Sequence, residues 1–169
     1  IAAGKSTVAQ LLRSWGAVLF DADEAVRVLQ RPGSGVFAGI VAHFGRGILR
    51  ADGAIDRAVL RDRILADPAE RAALEAIVHP AGEERRLAAQ AAAEASGAAV
   101  FDKFCDSCHP GGGEDIGPTL LNIEWSADKM TTQIRKGSRK MKPIPAKRLS
   151  DEKLGDLMAY LVSIKSVAQ

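Results

Sequence analysis

Cysteine is almost missing from this chain: of 169 residues, only Cys105 and Cys108 carry a thiol. A structural zinc site needs two further Cys or His ligands, and beyond His109 the chain offers only His43 and His79, far away in a different compositional region. Long apolar runs are missing too. None approaches the roughly 20 residues of a membrane helix, so no membrane span is expected. Charge of one sign is not in surplus: the formal net charge is +2, too little to point to nucleic acid or a membrane surface as partner. The opening Ile1-Ala-Ala-Gly-Lys-Ser-Thr7 lacks the basic, apolar, small-residue order of a secretory signal. It also starts without Met, which suggests a fragment or a trimmed start.

Lysine is scarce in one part only. Residues 1–96 hold eleven Arg and the single Lys5 against twelve acids, whereas residues 97–169 hold eight Lys and three Arg against nine acids. Alanine falls from twenty-three to six across the same boundary. A solvated face does not dictate Arg or Lys, so the switch suggests two sequences of different history. The boundary is placed near Ser96-Gly97, after the low-complexity run that starts at Leu87. Two domains are expected, 1–96 and 97–169.

What the chain does have is Cys105-Asp106-Ser107-Cys108-His109, the pattern of covalent haem attachment. Two thiols on one short turn can each add to a vinyl group of the same porphyrin, giving two thioethers. The adjacent imidazole is then held under the iron as an axial ligand. A thioredoxin-type pair would want a βαβ context, but the flanks show helical periodicity. Haem c is therefore the expected cofactor, with Cys105 and Cys108 as its anchors and His109 on the metal.

The flanks agree. Gly97, Phe101 and Cys105 fall on one helical face, where glycine permits close approach of another helix. The expected partner is a terminal helix over 151–163, with a Leu154, Leu157, Met158, Leu161, Val162 stripe, Tyr160 near Gly97 and Ser150 as N-cap. Pro118 keeps a carbonyl that can accept the Nδ1–H of His109, although Gly117-Pro118 is also ordinary turn chemistry. A helix is expected over 126–135, begun by Ser126 or Asp128, with Trp125 against haem or core. Of three methionines, Met130 and Met158 lie where helices pack. Met141 lies in a loop stiffened by Pro143 and Pro145, and is the expected second iron ligand. Arg135, Lys136, Arg139, Lys140, Lys142, Lys147 and Arg148 surround it without an intervening acid. They read either as a solvated surface or as a positive rim for an acidic redox partner.

In the first part, Gly4-Lys5-Ser6-Thr7 matches the end of a phosphate-binding loop, where Lys and a hydroxyl meet ATP phosphates and Mg²⁺. An amphipathic helix from Val8 to Gly16 and a short strand over 17–20 should follow. Asp21 and Asp23 then stand where an α/β sheet places catalytic carboxylates; Asp23 as cap of a helix from Glu24 is equally compatible. Helices are expected around 35–44, 57–65 and 70–78, with a turn at Asp52-Gly53. His79-Pro80 should interrupt the helix before an Ala-rich one. His43 and His79 read as packing or capping residues.

On these motifs residues 1–96 resemble the N-terminal half of dephospho-CoA kinase, through Ala3–Thr7, Asp21-Ala22-Asp23, Gly53–Arg57 with Leu60, and Leu74–Pro80. Residues 97–169 resemble a small class I cytochrome c, through Gly97/Phe101, the Cys105–His109 motif, Gly117-Pro118-x-Leu120, Gly137-x-x-x-Met141 and Leu157-x-Ala159-Tyr160. Here Lys142 stands between Met141 and the proline that usually follows directly. The resemblances imply a mostly α chain, an all-α haem domain joined to a largely helical remnant of an α/β P-loop kinase fold. They imply a one-electron carrier with His109/Met141 ligation and a redox partner protein. The alternative is ATP-dependent phosphorylation of dephospho-CoA with Asp21 at the acceptor, in a segment expected to be incomplete and inactive. Covalent haem implies a periplasmic location, coenzyme A synthesis a cytoplasmic one.

Overall fold

The computed structural model describes residues 8, 9, 12 and 17–168. The phosphate-loop residues Gly4, Lys5, Ser6 and Thr7 and most of the helix expected before Gly16 lie outside them. From residue 17 onward the chain is mostly helical: α1 (Ala22–Leu29), α2 (Gly35–Phe44), α3 (Arg57–Ala66), α4 (Pro68–Phe104), α5 (Ala127–Lys136) and α6 (Asp151–Ser163), with 3₁₀ turns at Arg46–Ile48 and Pro110–Gly112. It forms two compact units, one over Phe20–Ala88 and one that includes Ala89–Gln169.

In the first unit, the i, i+4, i+8 stripe of α2 sets the core. Val36, Ile40 and Phe44 are buried there with Ile48, Ile55, Leu60 and Val78. Ser34 caps α2, its hydroxyl accepting from Phe37 N at 2.9 Å, and Asp56 caps α3 through Ala58 N and Val59 N. The turn at Asp52-Gly53 is present, with Gly53 at φ +80° and Arg50 N donating to Ala54 O at 2.9 Å.

Three expectations are corrected. Residues 17–20 form no strand: they are irregular, with Val18 and Leu19 exposed, and the described residues pair only in isolated bridges at Leu49–Ile55 and Trp125–Val167. A lone extended segment has no neighbour to satisfy its backbone groups. Second, His79-Pro80 does not end a helix. α4 runs from Pro68 to Phe104 with Pro80 inside it, although Pro80 cannot donate to the residue 76 carbonyl. Flanking Ala, Leu and Glu residues are strong helix formers and carry it through. Third, the residue that caps the helix after position 20 is Asp21, not Asp23: its Oδ1 accepts from Glu24 N at 2.9 Å.

The second unit is built on the last turns of α4, on α5 and on α6. Phe101, Leu154, Leu157, Met158 and Leu161 are almost fully buried, with Val100, Cys105, Met130, Ile134, Ile144, Leu149 and Val167 around them. Gly97 explains how α4 and α6 come so close: a Cβ there would stand 2.0 Å from the Asp156 carbonyl oxygen and 2.8 Å from Tyr160 Cβ. Ser96 Oγ bonds Asp156 Oδ2 at 2.8 Å beside it, and the Phe101 and Tyr160 rings pack at 5.2 Å. Ser126 and Ser150 cap α5 and α6.

Candidate functional site

The end of α4 delivers the two thiols and the imidazole. Cys105 N closes the last turn on Phe101 O at 2.7 Å; Cys108 N and His109 N then both return to Cys105 O, at 3.0 and 2.9 Å. This tight reversal puts Cys105, Cys108 and His109 on one turn. Cys105 is buried, Cys108 partly so, and both are free thiols. Burial, with the neighbouring Cys108 and Asp106 as smaller contributors, pushes the Cys105 thiol up to about 11.

Next the chain folds back beneath the imidazole. Gly111 and Gly112, at φ +57° and +82°, make the reversal, and Asp106 Oδ1 accepts from Gly111 N at 2.8 Å. Gly117 N then donates to Cys108 O at 2.8 Å, bringing residues 117–118 against the His109 ring. His109 is 8% exposed. Its Nδ1 lies 2.8 Å from the Pro118 carbonyl oxygen, an acceptor only, so Nδ1 is the donor, and in the neutral ring Nε2 is the nitrogen with the free lone pair. Gly117 packs so closely that a Cβ would lie 2.1 Å from Cε1. That contact was not visible in the spacing of the sequence, where Gly117 read as part of a turn.

Met141 is partly buried against the same hydrophobic core that contains Cys105. Its thioether sulfur accepts from Gln133 Nε2 at 3.4 Å, while Met130 and Met158 are 3% and 0% exposed inside the core. Gly137, at φ +69°, turns the chain out of α5, and a Cβ there would meet the Met141 carbonyl oxygen at 2.3 Å.

Arg135 departs from the expected rim. Its side chain is only 19% exposed. One guanidinium nitrogen donates to Leu149 O at 2.7 Å and Ile144 O at 3.2 Å, and the other meets Asp151 Oδ1 at 2.6 Å. Planar, forked donors suit two carbonyls and a carboxylate at once. Lys136, Arg139, Lys140, Lys142, Lys147 and Arg148 are exposed, and Arg148 lies over the Phe104 ring at 5.7 Å. Trp125 packs against the core with Lys129 Nζ 3.7 Å from its ring centre.

The donor set fits a covalently held haem: two free thiols on one turn, an imidazole with its outer nitrogen already bonded, and a thioether outside the packed core. Elsewhere, Asp21 and Asp23 are exposed at the start of α1. His43 Nε2 meets Glu70 Oε2 at 3.2 Å with its ring edge-on to Phe44, and His79 is exposed on α4. Within the Phe20–Ala88 unit, a cavity of about 580 Å³ is lined by Arg27, Arg31, Arg50 and Arg57 among others.

A family model described as dephospho-CoA kinase matches residues 1–103. The chain belongs to the dephospho-CoA kinase family. A second model, described as cytochrome c oxidase, cbb3-type, subunit III, matches residues 92–161. The two matches overlap over 92–103, inside α4. Curated dephospho-CoA kinases are similar to the N-terminal part. That of Symbiobacterium thermophilum is 56% identical over 81 residues, covering 48% of this chain and 34% of its own length. The Geobacillus kaustophilus enzyme is 47% identical over 97 residues, 57% of this chain and 48% of the relative. The Xylella fastidiosa enzyme is 51% identical over 101 residues, 60% and 47%. The chain thus spans about a third to a half of the length of these dephospho-CoA kinases. Among the described residues no helix is long and apolar enough to cross a membrane.

Proposed function

We propose that residues 97–169 are a c-type cytochrome module that carries one electron at a time. Cys105 and Cys108 would hold the haem through thioethers, with His109 Nε2 and Met141 Sδ as axial ligands. The observation that carries the reading is the 2.8 Å contact between His109 Nδ1 and the Pro118 carbonyl. It fixes the tautomer, aims Nε2 and makes the imidazole a better donor. When bound, the haem supplies an iron that accepts one electron from a donor protein and passes it to an acceptor. Held by an imidazole and a thioether, the iron would have no open position, which favours electron transfer over oxygen chemistry. Gly117 seats the imidazole, Gly137 and Arg135 hold the Met141 loop, and the exposed lysines and Arg139 present positive charge to an acidic redox partner. Covalent haem attachment would go with a location outside the cytoplasm for this module.

Expression with a cytochrome maturation system tests the reading. Haem should stay with the polypeptide through denaturation and acid extraction, and be lost in Cys105→Ala/Cys108→Ala. A colourless wild-type product overturns it.

Family membership favours a second reading for residues 1–96, phosphoryl transfer from ATP to dephospho-CoA. Gly4, Lys5, Ser6 and Thr7 would meet the ATP phosphates, with Mg²⁺ held by the loop hydroxyl and Asp21 near the acceptor. The arginines around the cavity of the Phe20–Ala88 unit would suit an anionic substrate. ATP turnover that depends on added dephospho-CoA supports this reading; its absence at saturating substrate counts against it. That segment's reaction belongs to the cytoplasm, so the two readings predict different compartments.

A further inference from the structure

We propose that Gln133 is a positioning residue that tunes the reduction equilibrium of the haem module through the Met141 sulfur; this rests on Met141 being an axial ligand. Three consecutive residues of α5 address the Met141 loop. Gln133 Nε2 donates to Met141 Sδ at 3.4 Å, Ile134 O accepts from Ile144 N at 2.9 Å, and Arg135 binds the Ile144 and Leu149 carbonyls. On the other side, Gly137 N returns to Gln133 O at 2.8 Å, and Ser138 N donates to Met141 O at 2.9 Å. The backbone on both sides of Met141 is therefore tied down independently of the Gln133 amide. The amide is left with one task that backbone bonds do not duplicate, contact with the sulfur.

A thioether sulfur has two lone pairs. One can face a metal while the other accepts the Gln133 N–H. The amide draws electron density off the sulfur and weakens its donation, which disfavours the ferric state, the form that needs the stronger donor. Gln133 thus biases the couple toward the reduced form, and the loop geometry survives its removal.

The test uses the full haem-loaded chain and the Gln133→Leu and Gln133→Glu variants; the Glu form has nearly the same size but no donor at neutral pH. At a fixed ambient potential, the ratio of reduced to oxidised protein should fall about threefold in Gln133→Leu, the order of one modest hydrogen bond, and further in Gln133→Glu, whose carboxylate also favours the ferric charge. The sulfur-to-iron charge-transfer band of the ferric form should persist. Exogenous imidazole, which competes with the sulfur for ferric iron, should bind about threefold more weakly, because the sulfur donates better. A residue that merely props the loop would give the opposite: a weakened band and tighter imidazole binding. That result, or an unchanged ratio, overturns the proposal. A wild-type protein without the band shows instead that Met141 is not a ligand, and both readings fall together.

Discussion

Gly117 lies flat against His109: a Cβ on the glycine would stand 2.1 Å from Cε1, 2.6 Å from Nε2 and 2.7 Å from Nδ1. Any side chain at 117 must therefore displace the ring or the 117–118 backbone. Gly117→Ala should cost about 1–3 kcal/mol by overpacking. It should also break the His109–Pro118 bond, seen as weaker haem incorporation and a lower Tm. A variant as stable and as fully loaded as wild type would contradict this placement.

The Gly97 contact makes a second, separate demand. With Asp156 O 2.0 Å from the added Cβ, α4 and α6 must part. Gly97→Ala should lose at least about 2 kcal/mol in urea unfolding, against the small gain that Ala normally brings a helix.

Arg135 can be separated from its exposed basic neighbours. Arg135→Ala removes the donor to two carbonyls and the Asp151 ion pair, and should cost about 2–3 kcal/mol. Arg135→Lys should recover only a part, since one ammonium cannot reproduce the fork. Lys140→Ala, on an exposed side chain, should leave urea stability within about 0.5 kcal/mol.

The free-thiol form should show a definite pH response. Cys105 is raised to about 11 from an ordinary value near 9, so the folded state prefers the neutral thiol. Its contribution is fully present below pH 9 and is lost as pH rises toward 11, by up to roughly 3 kcal/mol. Urea midpoints across pH 8–11 should fall, and less so in Cys105→Ala. At pH 8, iodoacetamide should modify Cys108 before Cys105.

If the exposed Lys136, Arg139, Lys140, Lys142 and Lys147 steer an acidic partner, its second-order electron-transfer rate should drop steeply as salt is raised from 10 to about 200 mM. A flat response would make them an ordinary solvated surface.

What could be read from residues alone was what depends on short-range pattern. The 3.6-residue stripe of α6 and its Ser150 cap are local features of the chain, and they recur in the structure. So is the Pro118 carbonyl, reachable because nine residues separate it from His109. What escaped was set by neighbours far along the chain. Arg135 read as one more surface cation because its partners, at 144, 149 and 151, meet it only after the loop has closed. Pro80 read as a stop because the rule for the preceding residue is a preference, and the helix formers around it outweigh it. The strand at 17–20 was inferred from apolar character alone, which carries no information on whether a neighbouring strand exists to receive it. Asp21 took the cap because Ala22, not Glu24, begins the helix.

The imidazole, wedged between a bare glycine face and a prolyl carbonyl, has no room to swing. Bound to iron as proposed, it would keep its place whichever charge the metal bears. Little nuclear rearrangement would then accompany each passage of an electron, and the barrier to exchange would be set by distance to the partner rather than by motion of the protein.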